Sequence, residues 1–230
     1  MNALAPERSA SLRDLVLQRV RSEIVSGRSI PGTMYSVPAL ANDLGVSTTP
    51  VREALLELSR AGLLTPMRNR GFRVEAASLD DLNNVFALRD LLERYAMVAI
   101  AKKRITDTDD LRARADQIAA AVEKNDVETY IETDRAFHQA LVARAENPLL
   151  TRSVMNLRDE MRLYGIDTPA GRERQLRSVD EHYQMIKLAE TGDTEAIANL
   201  ISRHILDWKP VFTAALAEQT GRRAVRGLRH

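Results

Sequence analysis

From Ser78 to about residue 218 the apolar residues keep a helical period almost without interruption, and no run alternates in the manner of a strand. Helices are expected at about 78–103, 107–123, 126–146, 148–165, 172–191 and 194–218, with Gly192-Asp193 as the last sharp turn. Helices joined by short polar turns must bury their apolar stripes against one another, so an all-α antiparallel bundle is the economical fold for residues 76–218. Aromatic content of only 4% leaves Leu, Ile, Val and Ala to fill the interior.

The informative residues in this bundle are those that break the stripes. In the third helix the apolar face reads Tyr130, Ile131, Phe137, Leu141 and Val142, and Asp134 and His138 sit on it one turn apart. His182 lies three residues after Val179 and four before Ile186. His204 lies between Ile201 and Trp208 on a stripe that includes Ile197 and Val211. The fourth histidine of the chain is the terminal His230. Buried carboxylates and imidazoles are costly singly, and a histidine taken alone is more often a satisfied core residue than a ligand. If they converge, one carboxylate and three neutral imidazoles make an oxygen-nitrogen site for a divalent transition metal. The chain has no cysteine, so thiolate sites and disulfides are excluded and His, Asp and Glu are the strong ligands left.

Residues 10–75 read differently. A first amphipathic helix runs from Leu12 to Ile24 on Leu12, Leu15, Val16, Val20 and Ile24, ended by Gly27 and the Pro31-Gly32 turn. A second runs from about Ser36 to Leu44, and a third from Ser47 or Thr49 to about Ala61. Ala41 permits a close helix crossing, Gly45 supplies the corner and Val51 packs the third helix on the second, which is the steric pattern of a helix-turn-helix. After the third helix, Leu63-Leu64, the segment Thr65 to Gly71 and then Phe72-Arg73-Val74 read as a two-stranded hairpin with a polar, basic tip. A hairpin directly after the recognition helix is a wing.

The run GVSTTPVREALLELSRAGLLTPMRNRGFRV resembles the winged helix of the GntR family of bacterial regulators, over roughly residues 10–75. In that reading the start of the third helix enters the major groove, where Arg52 reaches guanine bidentately and Ser47, Thr48 and Thr49 reach bases or phosphates. Arg68, Arg70 and Arg73 on the wing touch phosphates or the minor groove, and Gly71 lets the wing backbone approach closely. Relatives commonly carry Arg at the position of Thr48 and a charged residue near Val37 and Pro38, so the operator is expected to differ. The segment Asp134-Arg135-Ala136-Phe137-His138, with His182 and His204, is similar to the ligand set of the effector-binding FCD-type domain in the FadR-like branch, over roughly residues 79–215. The resemblance implies a metal held by Asp134, His138, His182 and His204, with zinc the first candidate and nickel, manganese or iron as alternatives. It also implies a small carboxylate effector that completes the coordination, which four protein ligands permit only if the shell expands to octahedral. Arg89 faces inward and suits an effector carboxylate or, equally, a salt bridge to Glu93; Arg158, Arg162 and Tyr164 are weaker effector contacts of the same sort.

Charge divides along the chain: +3 over residues 1–75, −6 over 76–218 and +4 over the last twelve. That suits a DNA-binding unit joined to one that does not bind nucleic acid. The basic stretch 219–230 is expected to be a disordered tail. No run of eighteen apolar residues occurs and the first ten residues lack an apolar core, so a cytoplasmic location is expected. The function expected is that of a ligand-responsive regulator, a repressor rather than an enzyme. It binds a roughly palindromic operator as a homodimer. Two alternatives remain: a metal that is purely structural or itself the signal, and, more remotely, a metal-dependent hydrolase, for which no residue nominates itself as general base.

Overall fold

The structure is a computed structural model that describes residues 11–25, 27–76, 78–161 and 165–227, with backbone alone from residue 219 onward. The chain divides into two compact units after Ala76.

The first unit runs α1 (Leu12–Val25), β1 (Met34–Tyr35), α2 (Val37–Leu44), α3 (Thr48–Arg60), β2 (Leu64–Met67) and β3 (Gly71–Val74). The wing has one strand more than expected. β2 and β3 pair antiparallel, with Leu64 opposite Val74 and Met67 opposite Gly71, and β1 adds to the other edge of β3 with Tyr35 opposite Phe72. A strand of two residues has no periodicity to read, so nothing in the sequence announced it. The stripe on α1 is also shifted. Val16, Leu17, Val20, Ile24 and Val25 are buried, whereas Leu12 and Leu15 are each 55% exposed. Ser36 and Pro38 open α2, where a missing N–H costs nothing, and Gly45 closes it at φ 64°. Ala41, Val51, Ala54, Leu55 and Leu58 are buried between α1, α2 and α3, as the helix-turn-helix pattern requires.

The second unit is all helix: α4 (Leu79–Lys103), α5 (Asp109–Glu123), α6 (Val127–Ala143), α7 (Pro148–Glu160), α8 (Pro169–Thr191), α9 (Thr194–Leu206) and α10 (Lys209–Gly227). A capping box between Ser78 and Asp81 starts α4. α4 packs against α6, α7, α8, α9 and α10, so it runs through the middle of the unit. The helix expected over 194–218 is in fact two. Pro210 cannot donate to the carbonyl four residues back and would clash with it, so the chain breaks at Asp207-Trp208 and restarts with Pro210 in the first turn of α10. α10 then continues to Gly227, so the backbone is helical through most of the stretch expected as a disordered tail. Residues 228–230 lie outside the described residues. Among the described residues, no helix is long and apolar enough to cross a membrane.

Candidate functional site

Three helices bring the stripe-breaking residues together. Asp134 and His138 stand one turn apart on α6, His182 comes from α8, and His204 comes from the last turn of α9. His182 Nε2 is 3.2 Å from Asp134 Oδ1 and 3.3 Å from His138 Nε2, and His138 Nε2 is 3.6 Å from the same carboxylate oxygen. One ligand atom from each of the four residues lies within 4.8 Å of the other three. Adjacent ligands held about 2.1 Å from one ion stand roughly 3.0–3.4 Å apart, so the donor spacing fits a single transition metal. The donor chemistry fits as well, since two imidazole nitrogens and a carboxylate oxygen face one another. The three rings are fully buried or nearly so.

A ring of charge surrounds the cluster. From α4, the Arg89 Nε donates to Glu93 at 2.7 Å, and from α7 the Arg158 guanidinium donates to Glu93 at 2.9 Å and to Asp134 at 2.8 Å. Arg89 therefore makes the internal salt bridge that was the alternative to an effector contact. Arg158 spans the cluster and its second carboxylate, while Arg162 and Tyr164 lie outside the described residues. On the far side, His204 Nδ1 is 2.7 Å from Glu181 Oε2, which also accepts from Arg174 at 2.6 Å. Glu181 and Arg174 were missed in the sequence. Their signal was there: they precede His182 on the buried face of α8, together with Gln175 and Ser178, but an expected helix start at 172 left Arg174 in the frayed first turn.

Burial alone would raise the Asp134 and Glu93 carboxyls. It is outweighed for Asp134 by His138, His182 and Arg158, which hold it well below the usual carboxylate range, and for Glu93 by Arg89 and Arg158, which bring it to about 2. Burial, with Arg158 next, pushes His138 down to about 4, and burial with the neighbouring rings pushes His204 well below its ordinary value. Neutral imidazoles beside an ionised carboxylate are the protonation states that bind metal.

These shifts give an expected pH profile for the metal-free protein. As pH falls below 6.5 the unfolded His138 takes up its proton while the folded ring, near 4, does not. Stability present above pH 6.5 should therefore drain away by about pH 4, by roughly 3 kcal/mol from this ring alone. Glu93 acts in the next window, contributing stability above pH 4.5 that is lost toward pH 2. Thermal melts in the presence of a chelator should fall steadily from pH 7 to 4, and a melting temperature flat over pH 7–5 would contradict the buried neutral rings.

The expected DNA-facing residues group on the first unit. Ser47, Thr48, Thr49 and Arg52 are exposed at the start of α3, and Arg68 and Arg70 are exposed at the tip between β2 and β3. Among the described residues, no side-chain hydrogen bond or ion pair engages Arg52, Arg68 or Arg70. The Ser47 hydroxyl makes no cap bond to its own helix. Arg73, by contrast, pairs with Glu75 at 3.1 Å. Gly71 adopts φ 101° and lies against the backbone of β1, where an added Cβ would fall 2.1 Å from the Tyr35 carbonyl oxygen. The glycine is thus required by the three-stranded sheet itself, a reason that the sequence did not suggest.

Comparison with known families matches residues 12–74 to "Bacterial regulatory proteins, gntR family" and residues 84–207 to the FCD domain. The chain belongs to the GntR family. Within it, the chain is 29% identical over 198 residues to the HTH-type transcriptional regulator McbR of Escherichia coli, covering 81% of this chain and 87% of that protein. It is 26% identical over 206 residues to a probable D-xylose utilization operon transcriptional repressor of Paenarthrobacter nicotinovorans, covering 88% and 87%. The solved structure of E. coli McbR/YncC superposes with a TM-score of 0.75 at 26% identity, covering 92% of this chain and all of that one. GntR proteins are transcription regulators, so the chain is a DNA-binding regulator and the hydrolase alternative falls away. FCD domains are known to bind metals, and the His/Asp cluster lies within the matched FCD region.

Proposed function

We propose that this GntR-family protein is a repressor that binds a roughly palindromic operator as a homodimer and responds to a small carboxylate bound at a metal centre of Asp134, His138, His182 and His204. The observation that carries the proposal is the convergence of those four ligand atoms, with Arg158 reaching Asp134. The metal, zinc first, would serve as a Lewis acid for the carboxylate, and Arg158 would supply a charge-assisted hydrogen bond beside it. Homologous repressors support the sign of regulation. An apolar row of Leu88, Leu91 and Tyr95, exposed along α4 at one-turn spacings, supports pairing with a second copy.

On DNA, the exposed start of α3 would enter the major groove, with Arg52 reading guanine and the Ser47, Thr48 and Thr49 hydroxyls on bases or phosphates. Arg68 and Arg70 would hold phosphates or the minor groove from the wing tip, with Gly71 and Arg73 behind them. Arg52→Ala should cost about 1–3 kcal/mol and relax specificity at one base position, whereas Arg68→Ala should weaken all sequences alike. Gel-shift titrations over a set of single-base operator variants distinguish the two. An Arg52→Ala protein that keeps its full sequence preference would remove that residue from base readout.

Effector action requires different affinity for the DNA-competent and incompetent states, a coupling of about 1–3 kcal/mol. The test is operator affinity of metal-loaded protein against a panel of small carboxylates, with a chelated control. Release from DNA by a carboxylate only when metal is present supports the proposal. A change on chelation with no response to any acid would make the metal itself the signal, and no change in either arm would leave it a structural clamp.

A further inference from the structure

Of the three histidines in the cluster, only His204 has its outer ring nitrogen hydrogen-bonded. His138 Nδ1 and His182 Nδ1 are buried without a partner, and the nearest carboxylate oxygen to the former, on Glu93, is 4.0 Å away. His204 Nδ1 instead meets Glu181 Oε2 at 2.7 Å. A carboxylate only accepts, so the ring donates from Nδ1 and its Nε2 lone pair is left for the cluster. Glu181 is in turn held by the fully buried Arg174, whose Nη2 donates both to Glu181 at 2.6 Å and to the His204 backbone carbonyl at 2.9 Å. The same guanidinium lies 5.5 Å from the ring centre of Trp208, one turn beyond His204 at the break between α9 and α10. One cation thus grips His204 at its ring, through Glu181, and at its backbone.

We infer that Glu181 and Arg174 are positioning residues for the metal centre, with Glu181 fixing the ring nitrogen and orientation of His204 and Arg174 locking that carboxylate to the end of α9. The inference rests on the metal-centre reading given above. Outer partners of this kind hold a ligating imidazole in one tautomer and raise its basicity, and losing one weakens metal binding by about ten- to a hundredfold.

The test uses the full-length protein, with zinc affinity measured by competition against a chromophoric chelator. Glu181→Gln, which keeps shape and volume, should weaken zinc about tenfold, Glu181→Ala by more, and Arg174→Lys by a few-fold because the shorter lysine does not bring its nitrogen to the position of Nη2 and loses the planar guanidinium beside Trp208. A second readout is the ring 15N spectrum of the metal-free protein. His204 should be protonated at Nδ1 in the wild type and should become a tautomer mixture in Glu181→Ala, a change that loss of stability alone does not produce. If Glu181→Ala fails to fold, Glu181→Gln carries both measurements. Wild-type zinc affinity and an unchanged His204 tautomer in Glu181→Gln would overturn the positioning role while leaving the metal centre intact. A wild-type protein that takes up no zinc would instead overturn the metal centre, and this role with it.

Discussion

Replacing His182 by alanine should reduce zinc affinity at least a hundredfold and abolish the thermal stabilisation that zinc should confer on the wild type. Its Nε2 is the shared neighbour in the cluster, 3.2 Å from Asp134 and 3.3 Å from His138, so its loss removes one donor and opens a gap between the other two. A ligand that binds only the folded state stabilises by RT ln(1 + [L]/Kd), so a hundredfold loss at fixed zinc costs about 2.7 kcal/mol of that stabilisation. In a differential scanning experiment the wild type should show a zinc-dependent rise in melting temperature and the variant almost none. The metal-free melting temperatures carry separate information. Truncating the buried imidazole leaves a cavity but also removes a buried Nδ1 that has no partner, so the metal-free variant should lose much less than the loaded one. Equal zinc shifts in both proteins would rule His182 out as a ligand.

Gly71→Ala should cripple operator binding while leaving zinc uptake untouched. The added Cβ would meet the Tyr35 carbonyl oxygen at 2.1 Å and the Ser36 Cα at 3.3 Å, and both are backbone atoms that no rotamer change can move. The residue also sits at φ 101°, which alanine adopts only under strain. The two costs together come to about 3 kcal/mol or more, concentrated where β1 joins β3. Ser36 is the N-cap of α2, so a displaced β1 pulls on the helix-turn-helix as well as on the wing. Proton exchange of the amides in β1 and β3, followed beside gel-shift affinity and zinc titration, gives the outcome. A variant with normal DNA affinity and normal exchange would show that the backbone gives way more cheaply than its packing indicates.

Much of this was legible because periodicity carries it. The helix-turn-helix was readable from Ala41, Gly45 and Val51, and the cluster from polar side chains at apolar positions of α6, α8 and α9. What stayed hidden has particular causes. β1 is too short to have a period, and its partner β3 follows it by more than thirty residues. Leu12 and Leu15 fit a helical stripe that the fold does not bury, while Leu17 does the packing. Pro210 was read through because Val211 and Phe212 continue the apolar spacing past it. Glu181 and Arg174 are charged, and sequence reasoning sends charged residues to solvent unless a partner can be seen; theirs are His204, on another helix, and each other.

Around the four proposed ligands the buried ionic groups balance: Arg89, Arg158 and Arg174 against Glu93, Asp134 and Glu181. A divalent ion added to this set carries two positive charges into a setting that has no spare acid to meet them, and uncompensated buried charge is not tolerated. The loaded protein should therefore recruit an anion from whatever solution surrounds it. A preparation in citrate, acetate or phosphate then arrives with a passenger already seated, and every effector is measured as a competitor rather than a first arrival. Apparent affinities would shift with the buffer anion even where the protein itself is unchanged.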